Sequence, residues 1–330
     1  MGPKMISNGP LISVVIPHLN QPQALEACLS SLDGQSLARC FFEIIVVDNG
    51  SVPIPEEIVA NHAGTRLLRE LQPGPGPARN LGVRSATGDI MAFIDADCRA
   101  HRDWLRNALQ TIRSSPEGTI LGGDVRIWRS CGNTSTAIEA YEGVFGYRFK
   151  LFIERHGYCG TGNLVVRRTD YDKAGPFAGI DIAEDVEWGQ RARSAGLTFR
   201  YVPEMIIFHP ARRSLQELCV KWDRHTQHNL NMARGKRGWK IRWIARALAI
   251  LASPVVDSMK ALGSDRIQGV STRLKAISVL FAIRAYRARK MLALLGASEA
   301  VEWNRGAAAS ACIPDQTIKD CGIVSSRANN

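Results

Sequence analysis

The run Ile90-Met91-Ala92-Phe93-Ile94 ends in Asp95-Ala96-Asp97, two carboxylates one residue apart. An apolar run of this kind suits a buried strand. A strand interior offers nothing to neutralise two acids, so both must emerge at its tip. Carboxylates placed there can hold a hard cation; Mg2+ and Mn2+ prefer oxygen ligands and are commonly shared with substrate phosphates. The pattern points to chemistry on a phosphate-bearing donor. A second acid pair, Glu184-Asp185, opens a segment that starts acidic and ends basic, an order that suits a helix dipole.

Positioning such groups requires a scaffold, and the first hundred residues alternate strand and helix signals. Residues 11–16 form an expected strand stopped by Pro17, and residues 22–32 an amphipathic helix with Pro22 near its first turn. Residues 42–48 form a second buried strand, after which Asn49-Gly50-Ser51 turns the chain. Helix is expected over 55–61, strand over 65–71, a rigid loop over Pro73-Gly74-Pro75-Gly76-Pro77 and helix over 78–86. The strand into Asp95 follows. Further on, the pattern predicts helix over 101–114, strand over 119–128 and helix over 134–156. A Gly-rich turn then leads into a strand within 158–166, followed by helix over 182–195 and short strands at 199–202 and 205–208. From Ser214 onward it predicts basic helices. This alternation predicts an α/β fold with a mostly parallel central sheet and crossover helices. In such sheets ligands sit beyond the carboxyl ends of the strands. Asn20, Asp48 and the Asp95/Asp97 pair all fall at or just past those ends, so separate segments converge on one crevice.

Bulk properties narrow the class. The chain has 330 residues, is 45% hydrophobic and 22% charged, and carries a net charge of +11. Its eight cysteines form no CxxC pair. Residues 1–10 are polar and lack the apolar core of a signal peptide, so a cytoplasmic protein with reduced thiols is expected. No apolar stretch reaches the roughly 20 residues of a membrane helix. The charge is uneven: residues 221–290 hold 16 Lys and Arg against 3 Asp and Glu, whereas the remainder holds 26 against 28. The basic character therefore belongs to the C-terminal third and to a partner of that third. The expected organisation is a flexible start (1–10), a catalytic domain (11–212), a basic helical region (213–305) and a disordered tail (306–330).

Five motifs occur in order: Pro17-His18-Leu19-Asn20, Val47-Asp48-Asn49-Gly50-Ser51, Gly76-Pro77-Ala78-Arg79-Asn80-Leu81-Gly82, Asp95-Ala96-Asp97 and Glu184-Asp185. In that order and spacing, over roughly residues 11–210, the chain resembles the family 2 glycosyltransferases of GT-A fold. The resemblance implies an inverting enzyme that moves a sugar from a nucleotide donor with the help of Mn2+ or Mg2+. It places Pro17, Asn20, Asp48, Asn49, Arg79, Asp95 and Ala96 around the nucleotide-sugar. Asp48 would accept from the base, and an acceptor-only carboxylate suits a uracil N3–H; the alternative is a turn-forming Asx pair. Arg79 would lie near the nucleotide, where a guanidinium and free helix N–H groups favour phosphate; the alternative is an exposed helical arginine. The resemblance makes Asp97 the direct metal ligand, with Asp95 on the ribose or a metal-bound water, and offers His209 as a further ligand. It makes Asp185 the base that takes the acceptor's proton, supported by Glu184; the alternative is a pair of acids held by a helix dipole. Gly162 and Asn163, in the turn Gly160-Thr161-Gly162-Asn163, would border the donor sugar and acceptor; the alternative is a plain β-turn.

Gln190-Arg191-Ala192-Arg193 departs from the Gln-x-x-Arg-Trp pattern of processive synthases, which favours single-sugar transfer. In the basic third, residues 239–262 and 272–295 carry apolar segments within basic surroundings. That composition suits helices in an anionic membrane interface at the inner face of the cell membrane, presenting a glycan or lipid-linked acceptor; packing on the catalytic domain is the alternative. No nucleic-acid-binding motif is present, and none is expected as partner. Two further classes compete. A nucleotidyltransferase of related fold needs a Gly-rich phosphate loop after the first strand, where this chain has Pro17-His18-Leu19-Asn20. A non-catalytic membrane-associated scaffold would not need the acids that are retained.

Overall fold

The computed structural model describes residues 10–129, 135–180 and 183–296. The segments expected to be flexible or disordered, 1–10 (Pro10 apart) and 306–330, lie outside the described residues.

The fold is mixed α/β around one eight-stranded sheet. Its strands are β1 (Ile12–His18), β2 (Phe42–Asp48), β3 (Thr65–Arg69), β4 (Ile90–Ile94), β5 (Arg99–Ala100), β6 (Thr119–Trp128), β7 (Asn163–Arg167) and β8 (Thr198–Pro210). Their spatial order is β3-β2-β1-β4-β7-β6-β8-β5. The pairs β2–β3, β1–β2, β1–β4 and β6–β8 are parallel; β7 runs antiparallel to β4 and β6, and β5 antiparallel to β8.

Side-chain alternation explains the two-sided core. Val14, Ile16, Ile44, Val46, Ala92 and Ile94 pack on one face with Leu25, Leu29, Trp104 and Leu105 of helices Pro22–Asp33 and Trp104–Ser114. Val15, Met91, Phe93, Leu164 and Val166 face the other way, against Val83, Tyr171 and Trp188. Both faces of the central strands are covered, which is why they read as unbroken apolar runs.

Four local expectations are corrected. Pro17 does not stop β1, which runs to His18. Pairing with β4 ends at Val15, while pairing with β2 continues to His18↔Asp48, so the residue lacking an N–H sits where one neighbour is gone. The expected rigid loop at 73–77 is instead partly helix, because Pro75, Gly76 and Pro77 form the first turn of Pro75–Ser85. Prolines fit there, where N–H groups have no helical partner. The helix expected over 134–156 is broken into Ala137–Phe145, Phe149–Leu151 and a π-turn Phe152–His156. The two short strands expected at 199–208 are one long strand, β8, whose register against β6 shifts between Gly123 and Asp124.

After β8 come helices Leu215–Arg234, Trp239–Ala252, Pro254–Leu262 and Val270–Ala293. Ala276, Val279, Leu280 and Ile283 pack with Tyr141, Phe145 and Leu218. Two buried carboxylates fasten this region to the rest. Glu142, fully buried, accepts from Arg212 and from the Lys221 ammonium at 3.4 Å. Asp124, on β6, binds Arg266 at 2.5 Å and the Tyr201 hydroxyl at 3.0 Å, while Arg266 also donates to the Val125 carbonyl at 3.0 Å. Such ion pairs resist dissection, because removing one partner leaves a buried charge uncompensated.

Candidate active site

The carboxyl ends of β1 and β2 form a hydrogen-bonded corner. Asp48 is fully buried. One of its oxygens lies 3.2 Å from His18 Nδ1, and the other accepts from the Gly50 and Ser51 amides at 3.2 and 3.1 Å. These bonds hold its carboxyl below the usual range despite burial. Asn20 takes the left-handed conformation, with φ of 51°, an accessible state for asparagine. Its amide donates to Ser51 Oγ and its side-chain oxygen accepts from the Val52 amide at 2.9 Å. Asn49 donates to the carbonyls of Glu70 and Gln72 and accepts from the Gly74 amide at 2.7 Å. It ties the end of β2 to the entry of the helix that carries Arg79.

Arg79 is buried rather than exposed. Its guanidinium donates to Asp95 Oδ1 at 2.7 Å and to Glu184 Oε1 at 3.2 Å. A single buried cation thus joins the first acid of the strand-tip pair to the first acid of the helix pair. Its Nε is buried without a partner. Asp95 keeps 38% of its side chain exposed.

Gly162 leaves room for Asp95: a Cβ there would lie 2.5 Å from Asp95 Oδ2, so that carboxylate would have to shift. Gly162→Ala is therefore expected to push Asp95 off its bond with Arg79 and lower turnover by about tenfold or more while the fold survives. Steady-state kinetics beside circular dichroism check this, and unaltered turnover would show that Asp95 need not be held there.

Asp97 and His209 come together from β4's tip and β8, with Asp97 Oδ2 and His209 Nε2 3.3 Å apart. Asp97, Cys98 and His209 place ligand atoms within 4.8 Å of one another. The Cys98 thiol is buried and pushed well up by that burial and by Asp97 and Asp95. A thiol is also a soft donor, poorly matched to a hard, oxygen-preferring cation. Oxygen from Asp97 and nitrogen from His209 form a donor set that fits Mn2+ better than Mg2+, whose ligands are nearly all oxygen. The His209 ring packs on Tyr147, centroids 4.7 Å apart, and the Lys221 ammonium lies 5.3 Å from the centre of the Tyr147 ring.

Asp185 sits at the start of helix Glu184–Ser194, with one oxygen accepting from the Val186 amide at 2.8 Å. A carboxylate at a helix start is ordinarily stabilised. Here burial, reinforced by the charge of Glu184, pushes Asp185 up to about 6. That value suits a group that must take a proton near neutral pH.

Comparison with known proteins meets this geometry. Residues 13–175 match the model of glycosyl transferase family 2. The glycosyltransferase AglE of Haloferax volcanii is 31% identical over 291 residues, covering 86% of this chain and 94% of AglE. The chain belongs to glycosyl transferase family 2. The amylovoran biosynthesis glycosyltransferase AmsB of Erwinia amylovora is 35% identical over 173 residues, covering 48% of this chain and 56% of AmsB. A mannosyltransferase structure from Pyrobaculum calidifontis, in complex with GDP-Man and Mn2+, superposes with a TM-score of 0.55 at 18% identity over 87% of each chain. The fold is that of the GT-A glycosyltransferases.

For this family 2 glycosyltransferase, the structure brings Arg79, Asp95, Gly162 and Glu184 into one contact network and pairs Asp97 with His209. It places others in supporting positions. Asn163 is fully buried: its amide nitrogen donates to the carbonyls of Asp124 and Met205, both at 2.9 Å, and its oxygen accepts from the Trp104 indole at 2.8 Å. It staples β7, β6 and β8 together. Pro17 pairs with Val47, and Ala96 is buried between the two acids. Sequence reasoning missed His18, which burial keeps neutral and which holds Asp48, and Tyr147, which packs on His209. His18 had a visible signal, since a histidine directly after a buried strand reaches the same crevice; Tyr147 had none.

Proposed function

We propose that the chain is an inverting, metal-dependent glycosyltransferase. It moves one sugar from a nucleotide-sugar, UDP-linked by preference, to a hydroxyl of a glycan or lipid-linked glycan in polysaccharide or cell-envelope assembly, with residues 11–212 as the catalytic unit. The observation that carries the reading is the Arg79 bridge between Asp95 and Glu184, which ties the start of the helix that bears Asp185 to the first strand-tip acid.

In this reading Asp185 takes the proton of the acceptor hydroxyl as its oxygen bonds to the anomeric carbon. The bond from that carbon to the nucleotide diphosphate breaks on the opposite face, so the configuration inverts. Glu184 and Arg79 keep Asp185 in place. Asp97 and His209 would hold the divalent ion, which supplies positive charge against the leaving diphosphate. Asp48, Asn49, Asn20 and Pro17 shape the nucleotide end, with Asp48 and Asn49 fixing the backbone there. The family's sequence relatives and the Asp/His donor set support this reading; the missing tryptophan after Arg193 favours one transfer per encounter.

The test is a panel of UDP-, GDP- and dTDP-sugars screened for stabilisation with and without Mn2+; GDP-sugars belong in it because the Pyrobaculum structure holds GDP-Man. One donor class should raise Tm only with metal, since binding to the folded state alone stabilises it. If no donor does so, the donor and metal assignments fail together.

A further inference from the structure

The two apolar segments of the basic third have different fates. The second, within helix Val270–Ala293, turns Ala276, Val279, Leu280 and Ile283 inward against helix Ala137–Phe145, and its exposed Val270, Leu274, Phe281 and Leu292 are spread over residues 270–292 among Arg273, Lys275, Arg284 and Arg289. The first has a covered face and a bare one. Trp243 and Ala247 of helix Trp239–Ala252 are buried with Leu230 and Met291, and the Trp243 indole donates to the Met291 carbonyl at 2.7 Å. Ile241, Leu248 and Leu251 on the same helix are 76, 55 and 51% exposed. Spacings of seven and three put them on one face. The next helix, Pro254–Leu262, continues it, with Val255, Val256 and Met259 exposed by 72, 71 and 67%.

Monomeric soluble proteins seldom leave so many large apolar side chains open in one stretch. The charges around them are one-sided. Residues 239–262 carry Lys240, Arg242, Arg246 and Lys260 against Asp257 alone. That acid is already paired, with Lys260 at 2.6 Å and Arg284 at 3.0 Å. Lys240, Arg242 and Arg246 are exposed. An apolar face bordered by unopposed cations matches the chemistry of an interfacial helix: acyl chains below, anionic headgroups beside. Among the described residues no helix is long and apolar enough to cross a membrane, so the face would lie along the surface.

We infer that helices Trp239–Ala252 and Pro254–Leu262 form the membrane-docking face of this enzyme, seated on anionic phospholipid through Ile241, Leu248, Leu251, Val255, Val256 and Met259. This deepens the reading of a lipid-linked acceptor, on which its purpose rests: the same chain would meet acceptor and bilayer together.

The test is co-sedimentation of the full chain with phosphatidylcholine vesicles, with and without phosphatidylserine, at low and high salt, beside light scattering without lipid. Wild type should bind the anionic vesicles, and less so as salt rises. Leu248→Glu with Val256→Glu should lower partitioning by about tenfold or more. A second variant, Arg242→Glu with Arg246→Glu, should lose the preference for phosphatidylserine while leaving the apolar face intact. Unchanged circular dichroism and donor-induced stabilisation would show both variants folded. Equal binding by wild type and both variants overturns the inference. So does a dimer without lipid that Leu248→Glu with Val256→Glu dissociates, because the face would then belong to a second copy. Vesicle binding is read without donor or acceptor, so its failure leaves the transfer reaction standing, and loss of transfer leaves the docking face standing.

Discussion

Asp185→Asn is expected to lower kcat by about 10²–10⁴-fold, the usual contribution of a positioned base, with little change in donor KM. The substitution keeps the shape and the bond from the Val186 amide but removes the basic oxygen. In the wild type, kcat/KM should fall about tenfold per pH unit below about 6, the position to which burial and Glu184 raise Asp185. The same shift has a stability sign. The folded state binds this proton more tightly than the unfolded chain, whose carboxyl titrates near the ordinary 3.8. The group's contribution is therefore fully present below pH 3.8 and is lost as pH rises through about 6. At pH 7–8 the ionised carboxylate costs about 1–2 kcal/mol after allowing for its partial exposure. Asp185→Asn should thus be inactive yet melt higher than wild type at pH 7.5, with the gap closing in acid. Thermal unfolding at the two pH values beside a turnover assay checks both halves. A variant that is inactive and less stable at pH 7.5 would point to structural damage rather than a lost base.

Asp97→Ala is expected to abolish metal-dependent donor stabilisation and lower kcat by about 10²–10³-fold, the several kcal/mol that a metal offsets at a leaving diphosphate. The fold should survive, because Asp97 stands at a strand tip with a quarter of its side chain exposed and, among the described residues, pairs with His209 alone. His209→Ala should cost less, since the ion would keep a carboxylate and the donor's own phosphates. Manganese titration by calorimetry, with and without the nucleotide-sugar, separates the two: Asp97→Ala should lose the heat of binding and His209→Ala should weaken it. Equal metal affinity in Asp97→Ala and wild type would move the ion elsewhere.

The sheet was legible in the sequence because its central strands are buried on both faces and therefore read as apolar runs. The boundaries of β2 and β6 were readable to the residue. Proline misled twice, at Pro17 and over 73–77, since its fate depends on which neighbour's hydrogen bond is absent, a fact that belongs to pairing and not to the residue. The candidate residues were legible as types in order, and Asp97 with His209 shows a pair that meets across more than a hundred residues. Partnership was not legible. The sequence shows Arg79 at a helix start but not its bonds to two acids. It shows Asn163 in a Gly-rich turn but not that its side chain binds two sheet carbonyls and the Trp104 indole. The tail divided in the same way: composition flagged two apolar segments, but only packing shows which side of each is covered.

The anchoring of Glu142 by Arg212 and Lys221, and of Asp124 by Arg266, bears on how the molecule could be shortened. Ending the chain at residue 212 would remove Lys221 and Arg266 and strip the apolar cover from Tyr141 and Phe145. The remaining piece would keep every acid of its crevice, with Glu142 still on Arg212 and Asp124 still on Arg126, each one cation poorer. Its new defect would be the bared apolar face, so a donor-binding fragment made that way should precipitate, and the remedy would be polar replacements on that face, not a longer linker or another solubility tag.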